Sequence, residues 1–179
     1  MSRIDPRAAR LDHPSVAAVR AVLAERARRV GRPEPEVTVL PDAVRTAQAA
    51  ADALGVTAAQ IANSLIFVAV HVDGRRTPLL VLASGGARVD TDLLARLAGL
   101  AALERADADY VRTETGFAIG GVAPVGHRTA SGDPLRTIVD TDLAQYEQVW
   151  AAAGHSHTVF PTTYEDLLDL TGGEPSRVR

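Results

Sequence analysis

The segment Gly116-Phe117-Ala118-Ile119-Gly120-Gly121-Val122-Ala123-Pro124-Val125-Gly126-His127 packs four glycines, a proline and a histidine into twelve residues. That composition suits neither a helix nor a strand. Glycine lets backbone approach a ligand closely and lets N–H groups converge on an oxygen, so Gly120 and Gly121 are candidate oxyanion donors. Pro124 would hold the exit of the loop in one conformation. The alternative is a structural turn between two strands. The segment lacks the GxGxxG order and no helix is expected after it, which argues against dinucleotide-phosphate binding.

Histidines supply the next chemistry. His127 follows the loop and is a candidate general base or substrate hydrogen-bond partner, with a structural role as the alternative. His155 and His157 are two apart, so an extended segment turns them to one side, but without a carboxylate in pattern they make a weak metal signal. No metal site and no cofactor are expected. His13 and His71 read as surface residues. Ser84 ends an apolar run before Gly85-Gly86, and a Ser84–His127–Asp140 triad can be drawn on paper, yet the GxSxG elbow is missing. Asp140 either orients a hydroxyl or His127, or caps a turn with Thr141.

Composition removes whole classes of mechanism. All 19 basic residues are arginine and the chain has no cysteine. Schiff-base lysines, Ser–Lys dyads, P-loop lysines, thiol nucleophiles and disulfides are therefore excluded. The net charge of −3 is unevenly spread. Residues 1–32 hold Arg3, Arg7, Arg10, Arg20, Arg26, Arg28, Arg29 and Arg32 against Asp5, Asp12 and Glu25. Such a segment either contacts phosphates or forms a solvated helix face. No apolar run approaches the roughly 18–20 residues that span a bilayer, and the N-terminus has no signal-like apolar stretch. A single cytoplasmic domain, with no membrane contact, is the expectation for 179 residues.

The elements that must position these residues follow from periodicity and stop signals. Val16, Val19, Leu23, Ala27 and Val30 recur at helical spacing, predicting a helix over 13–30 that ends at Gly31. Residues 37–40 read as a short strand. Thr46 caps a helix over 47–54 that stops at Gly55. Two β-branched runs, 61–72 and 78–83, flank the turn Asp73-Gly74-Arg75-Arg76 and read as an antiparallel hairpin. Asp90 or Thr91 can cap a helix through residue 100. A strand over 101–106 and a helix over 107–115 then lead into the glycine-rich loop. Strands over 135–139, 148–152 and 158–160, a helix over 162–170 and a frayed tail over 172–179 complete the reading. Hairpin first and helices between short strands indicate an α+β fold with a mixed, barrel-like sheet flanked by helices.

Gly120-Gly121-Val122-Ala123-Pro124 resembles the GxxxP loop of the YbaK and prolyl-tRNA synthetase editing domains. Gln60-Ile61-Ala62-Asn63-Ser64-Leu65-Ile66-Phe67, the run 79–84 and Glu114-Thr115-Gly116-Phe117 agree in order and spacing. So do Thr137-Ile138-Val139-Asp140, Ala153-Gly154 and Val159-Phe160-Pro161. The resemblance spans residues 37–170, behind an Arg-rich segment over 1–32. It implies hydrolysis of the ester joining a wrong amino acid to the 3′ adenosine, with the acceptor end of aminoacyl-tRNA as partner and no DNA. With it, the expected substrate contacts are Asn63, Ser64, Ser84, Gly85, Pro124, Asp140, Gly154 and His155, and Gly120 and Gly121 lie closest to the chemistry, joined by His127 on the strength of its position after the loop. The sequence departs from the better-known branches at one position. Where they carry lysine in Lys-Thr-Leu or Lys-Ser-Leu, this chain has Asn63-Ser64-Leu65, which hydrogen-bonds without supplying charge. Non-catalytic binding on the same fold and general small-ester hydrolysis built on His127 are the other readings. The amino acid, the tRNA and the oligomeric state stay open.

Overall fold

A computed structural model describes residues 10–41 and 46–179. Arg3, Asp5 and Arg7 of the basic segment lie outside the described residues.

Helix α1 (Pro14–Val30) buries Val16, Val19, Leu23 and Ala27, the stripe its spacing predicts. His13 caps it, its side chain accepting the Ser15 amide, and Gly31 ends it at φ 66°. Strand β1 (Thr38–Val39) and helix α2 (Ala47–Leu54) follow, with Thr46 and Gly55 as the caps expected. A short 3₁₀ turn, Ala58–Gln60, then leads into the hairpin of β2 (Ile61–Val70) and β3 (Arg76–Ser84), paired from Ala62↔Ser84 to Val70↔Arg76.

The chain continues through α3 (Thr91–Leu97), β4 (Ala102–Arg105) and α4 (Ala108–Thr115) to the glycine-rich loop. Beyond it lie β5 (Arg136–Asp140), a 3₁₀ turn Thr141–Gln145, β6 (Val149–Ala152), β7 (Thr158–Thr162), α5 (Tyr164–Thr171) and β8 (Glu174–Ser176). The eight strands form one mixed sheet in the order β1-β7-β6-β2-β3-β5-β8, with β4 forking from β2. The fold is α+β, as the alternation of elements predicts.

Strand β3 explains its own unbroken apolar run. Leu80 and Leu82 enter one core with Val19, Leu23, Phe117, Phe160 and Leu167, while Leu79, Val81 and Ala83 enter another with Phe67, Leu94 and Ile138. A strand covered on both faces has no solvated side on which to place polar residues. Each buried leucine here contributes roughly 1.5–3 kcal/mol.

The C-terminal tail corrects the expectation of fraying. Strand β8 pairs parallel to β5 (Ile138↔Glu174 to Asp140↔Ser176), and Val178 is fully buried. The Val178 carbonyl accepts the Asp90 amide at 2.7 Å, and Arg136 and Arg179 hold Glu174 and Asp142 at 2.8 and 2.6 Å. A segment of glycine, proline and charged residues looks loose locally. It is ordered by an edge of β5 that only the assembled sheet provides.

Candidate active site

Strand β2 is the floor of the site because its second edge is shared. One edge pairs with β3 along its length. On the other, β6 pairs only with Ile61 and Ala62, and β4 only with residues 67–70. Residues 63–66 thus have no strand partner on that edge among the described residues. A cavity of about 810 Å³ opens there, and Asn63, Ser64, Leu65, Ile66 and Phe67 all line it. Side chains of adjacent strand residues point to opposite faces, so five in a row reach one cavity only where it meets the strand edge-on.

The remaining walls come from the loop after β3 (Arg88 and Val89), from the start of α3 (Thr91), from β4 and α4 (Leu103, Arg105 and Val111), and from Ile119, Gly120 and Val122 of the glycine-rich loop. Several polar groups in this cavity are unengaged. The Ser64 hydroxyl oxygen is buried without a hydrogen-bond partner. Among the described residues the Asn63 side chain and the Gly120 amide also lack one. Gly120 sits at φ 85°, a conformation that favours glycine. Among the described residues no aspartate, glutamate or histidine lines the cavity, and two arginines do.

Of the residues singled out from sequence, the structure brings together Asn63, Ser64 and Gly120 and gives the others different work. The Gly121 amide donates to the Ala118 carbonyl at 3.0 Å, so it is engaged within the loop. A side chain there would meet the His155 Cα at 3.0 Å, which shows how closely the loop packs on residues 155–156. Pro124 and His127 line a separate cavity of about 220 Å³. His127 Nε2 donates to the Ala123 carbonyl at 2.7 Å, its ring lies edge-on to Phe117, and burial pulls its pKa below the usual histidine value. Its contacts are those of a loop brace, and it lies outside the cavity that Asn63, Ser64 and Gly120 line.

Ser84 and Asp140 are buried and bonded to each other. Asp140 Oδ2 accepts the Ser84 amide at 3.0 Å, Oδ1 accepts the Asp142 amide at 3.1 Å, and the Ser84 hydroxyl donates to the Ala59 carbonyl. Asp140 is therefore the turn cap of the two alternatives, and the paper triad does not assemble. Gly85 is needed for packing, since a Cβ there would collide with the Ala58 carbonyl oxygen. Gly154, at φ 96°, lies beneath α1, where a Cβ would come within 2.6 Å of the Ser15 carbonyl oxygen. His155 meets His13 edge-on and His157 at a tilt, with ring centroids 5.3 and 5.7 Å away, and lies outside the large cavity. Burial, then the neighbouring His13, His157 and Arg10, hold its pKa low.

The arginines of α1 are mostly occupied. Arg26 bridges Asp166 and Asp169 of α5 at 2.6 and 2.7 Å, Arg29 reaches Asp169 at 2.8 Å and Arg28 pairs with Glu25. What sequence reasoning missed is Arg88 and Arg105. Nothing in their local sequence marks them among 19 arginines.

Comparison with known proteins gives the class. The model of the aminoacyl-tRNA editing domain family matches residues 41–170. A crystal structure described as a candidate trans-editing enzyme for prolyl-tRNA synthetase is 40% identical, covers 93% of this chain and 97% of its own, and superposes with a TM-score of 0.78. The protein YwhH of Bacillus subtilis (strain 168), uncharacterized, is 28% identical over 77% of this chain and 82% of its own length. EbsC of Enterococcus faecalis (strain ATCC 700802 / V583), provisionally named a Cys-tRNA(Pro)/Cys-tRNA(Cys) deacylase, is 25% identical over 72% of this chain and 74% of its own. The chain belongs to the aminoacyl-tRNA editing domain family, a class of hydrolases that act on aminoacyl-tRNA.

Proposed function

We propose that the protein acts in trans, in the cytoplasm, on the acceptor end of a mischarged tRNA and hydrolyses the aminoacyl ester in the cavity floored by residues 63–67. The observation that carries this reading is the set of polar groups, Asn63, Ser64 and the Gly120 amide, that have no hydrogen-bond partner among the described residues and belong to residues lining one cavity.

An aminoacyl ester is already activated, so a site that places it, places a water and stabilises negative charge is sufficient. Water attacks the acyl carbon, the bond from that carbon to the ribose oxygen breaks, and the water proton ends on the ribose oxygen. The products are a free amino acid and an uncharged tRNA. The Gly120 amide serves as the oxyanion donor, a role whose loss typically costs 10²–10³-fold in rate. Asn63 holds a ribose or acyl oxygen, and the Ser64 hydroxyl gains the partner it otherwise lacks. The 2′-hydroxyl or α-amino group of the substrate orients the water, so no triad is required. Leu65, Leu103, Val111 and Val122 give the acyl group apolar walls, and selection follows size, as in double-sieve editing.

The test is deacylation of tRNAs mischarged with Ala, Ser, Thr and Cys alongside the correctly charged forms. Turnover of at least one mischarged species above buffer hydrolysis is expected. The lack of an acid or base among the described lining residues favours one second reading, a non-catalytic module that binds the tRNA end. Gel-shift binding of charged tRNA with no deacylation on the whole panel would select it.

A further inference from the structure

We infer that Arg88 and Arg105 form a two-sided clamp for the phosphodiester groups of the terminal nucleotides. The inference rests on the reading above and concerns how the substrate is oriented. Arg88 follows β3 and Arg105 ends β4, strands that flank β2 on its two edges, and both arginines line the cavity floored by β2. Among the described residues neither has an ion pair. Among the described residues no carboxylate lines the cavity to neutralise them.

The charge of the ligand decides which part of it they meet. In an aminoacyl ester the amino acid has no free carboxylate, and its α-ammonium would be repelled by two guanidinium groups. The phosphodiesters are the only anions at that end of the molecule. Arginine suits them because its planar fork of donors matches phosphate oxygens. The acyl group is thereby directed away from the arginines, to the neutral polar groups at Asn63, Ser64 and Gly120. Arginines elsewhere are poorer candidates, since those of α1 are largely taken up by Asp166, Asp169, Glu25 and Glu34.

Binding of a fluorescently labelled, uncharged single-stranded oligonucleotide ending in CCA tests this without relying on hydrolysis. Anisotropy titrations at several salt concentrations would compare the wild type with Arg88→Gln, Arg105→Gln, the two Lys replacements and Arg96→Gln. Arg96 is exposed and outside the cavity, so it serves as the control. Each cavity Gln variant should weaken binding severalfold and flatten the slope of log K against log salt by about 0.7, the value per phosphate contact on a single strand. The Lys variants should restore the slope, and Arg96→Gln should match the wild type. Equal affinities and slopes for the wild type and both cavity Gln variants, or no binding by the wild type, would overturn the clamp. Turnover on the mischarged panel with unchanged binding in the Gln variants would remove the clamp and leave the editing function standing.

Discussion

The backbone amide of Gly121 donates to the carbonyl of Ala118 at 3.0 Å, and this bond separates two glycines that the sequence presents as equivalent. Closing that turn engages one amide, while the amide of Gly120, in the wall of the large cavity, has no partner among the described residues. The two positions therefore respond differently to substitution.

Gly121→Val places side-chain atoms against the backbone of His155 and Ser156, where even a Cβ would stand 3.0–3.1 Å from three main-chain atoms. Main chain cannot swing aside as a flexible side chain can, so the loop must shift and carry Gly120 with it. Turnover should fall by at least about 100-fold, in keeping with the loss of an oxyanion donor. A rate within twofold of wild type would take the loop out of the site.

Ser64→Ala separates stability from binding. Its hydroxyl oxygen is buried and unpartnered, and removing an unsatisfied polar group typically costs nothing or gains up to about 1 kcal/mol. The melting temperature should hold or rise while KM for the charged tRNA increases. Asn63→Ala should lower kcat/KM by roughly tenfold, the worth of one hydrogen bond of about 1.4 kcal/mol. A Ser64→Ala variant that melts well below wild type would show that the hydroxyl has a partner in the folded protein.

His127→Asn should leave deacylation within about threefold of wild type, because His127 braces the loop from a different cavity. Its effect belongs to stability against pH. Burial holds the folded-state pKa of His127, and likewise that of His155, below the ordinary 6.5. The unfolded chain therefore binds more protons once the pH drops below about 6.5, and stability falls with falling pH down to the folded-state values. Melting temperatures from pH 7.5 to 5 should show this decline, and the His127→Asn variant a shallower one. An unchanged slope would mean that His127 is not shielded from water.

Gly154→Ala should destabilise the fold by about 2 kcal/mol or more. The new Cβ would stand 2.6 Å from the Ser15 carbonyl oxygen, and the residue would keep a φ of 96° that alanine disfavours. Hydrogen exchange should rise first in α1. Protection equal to wild type there would show that the helix does not depend on Gly154 for its seat.

Local signals carried most of the element boundaries. Thr46 and Gly55 bracket α2, and Asp107 and Gly116 bracket α4, because a cap is decided by a side chain and the few amides beside it. The hairpin of β2 and β3 was equally legible, since its turn chemistry and its β-branched runs are contiguous. Membership of the editing family could be read from the ordered motifs between Asn63 and Phe160. The tail was not legible, because β8 is stabilised by β5, which lies over 30 residues earlier in the chain.

The site was legible only in part, and the reason is geometric. A glycine is required wherever backbone approaches something closely, and its sequence does not say what approaches. At Gly120 the neighbour is a cavity, at Gly121 the 155–156 backbone, at Gly154 the start of a helix. Ser84, Asp140 and His127 are polar residues of suitable type whose partners turned out to be main-chain amides and carbonyls. Arg88 and Arg105 present the converse case, ordinary residues brought to one cavity from beyond the end of β3 and from the end of β4, strands on opposite edges of β2. The sequence alone determined which elements form and which family they compose, because those depend on neighbours along the chain. Only the tertiary structure decided which polar groups stay unpaired and face one cavity, because that depends on neighbours across the sheet.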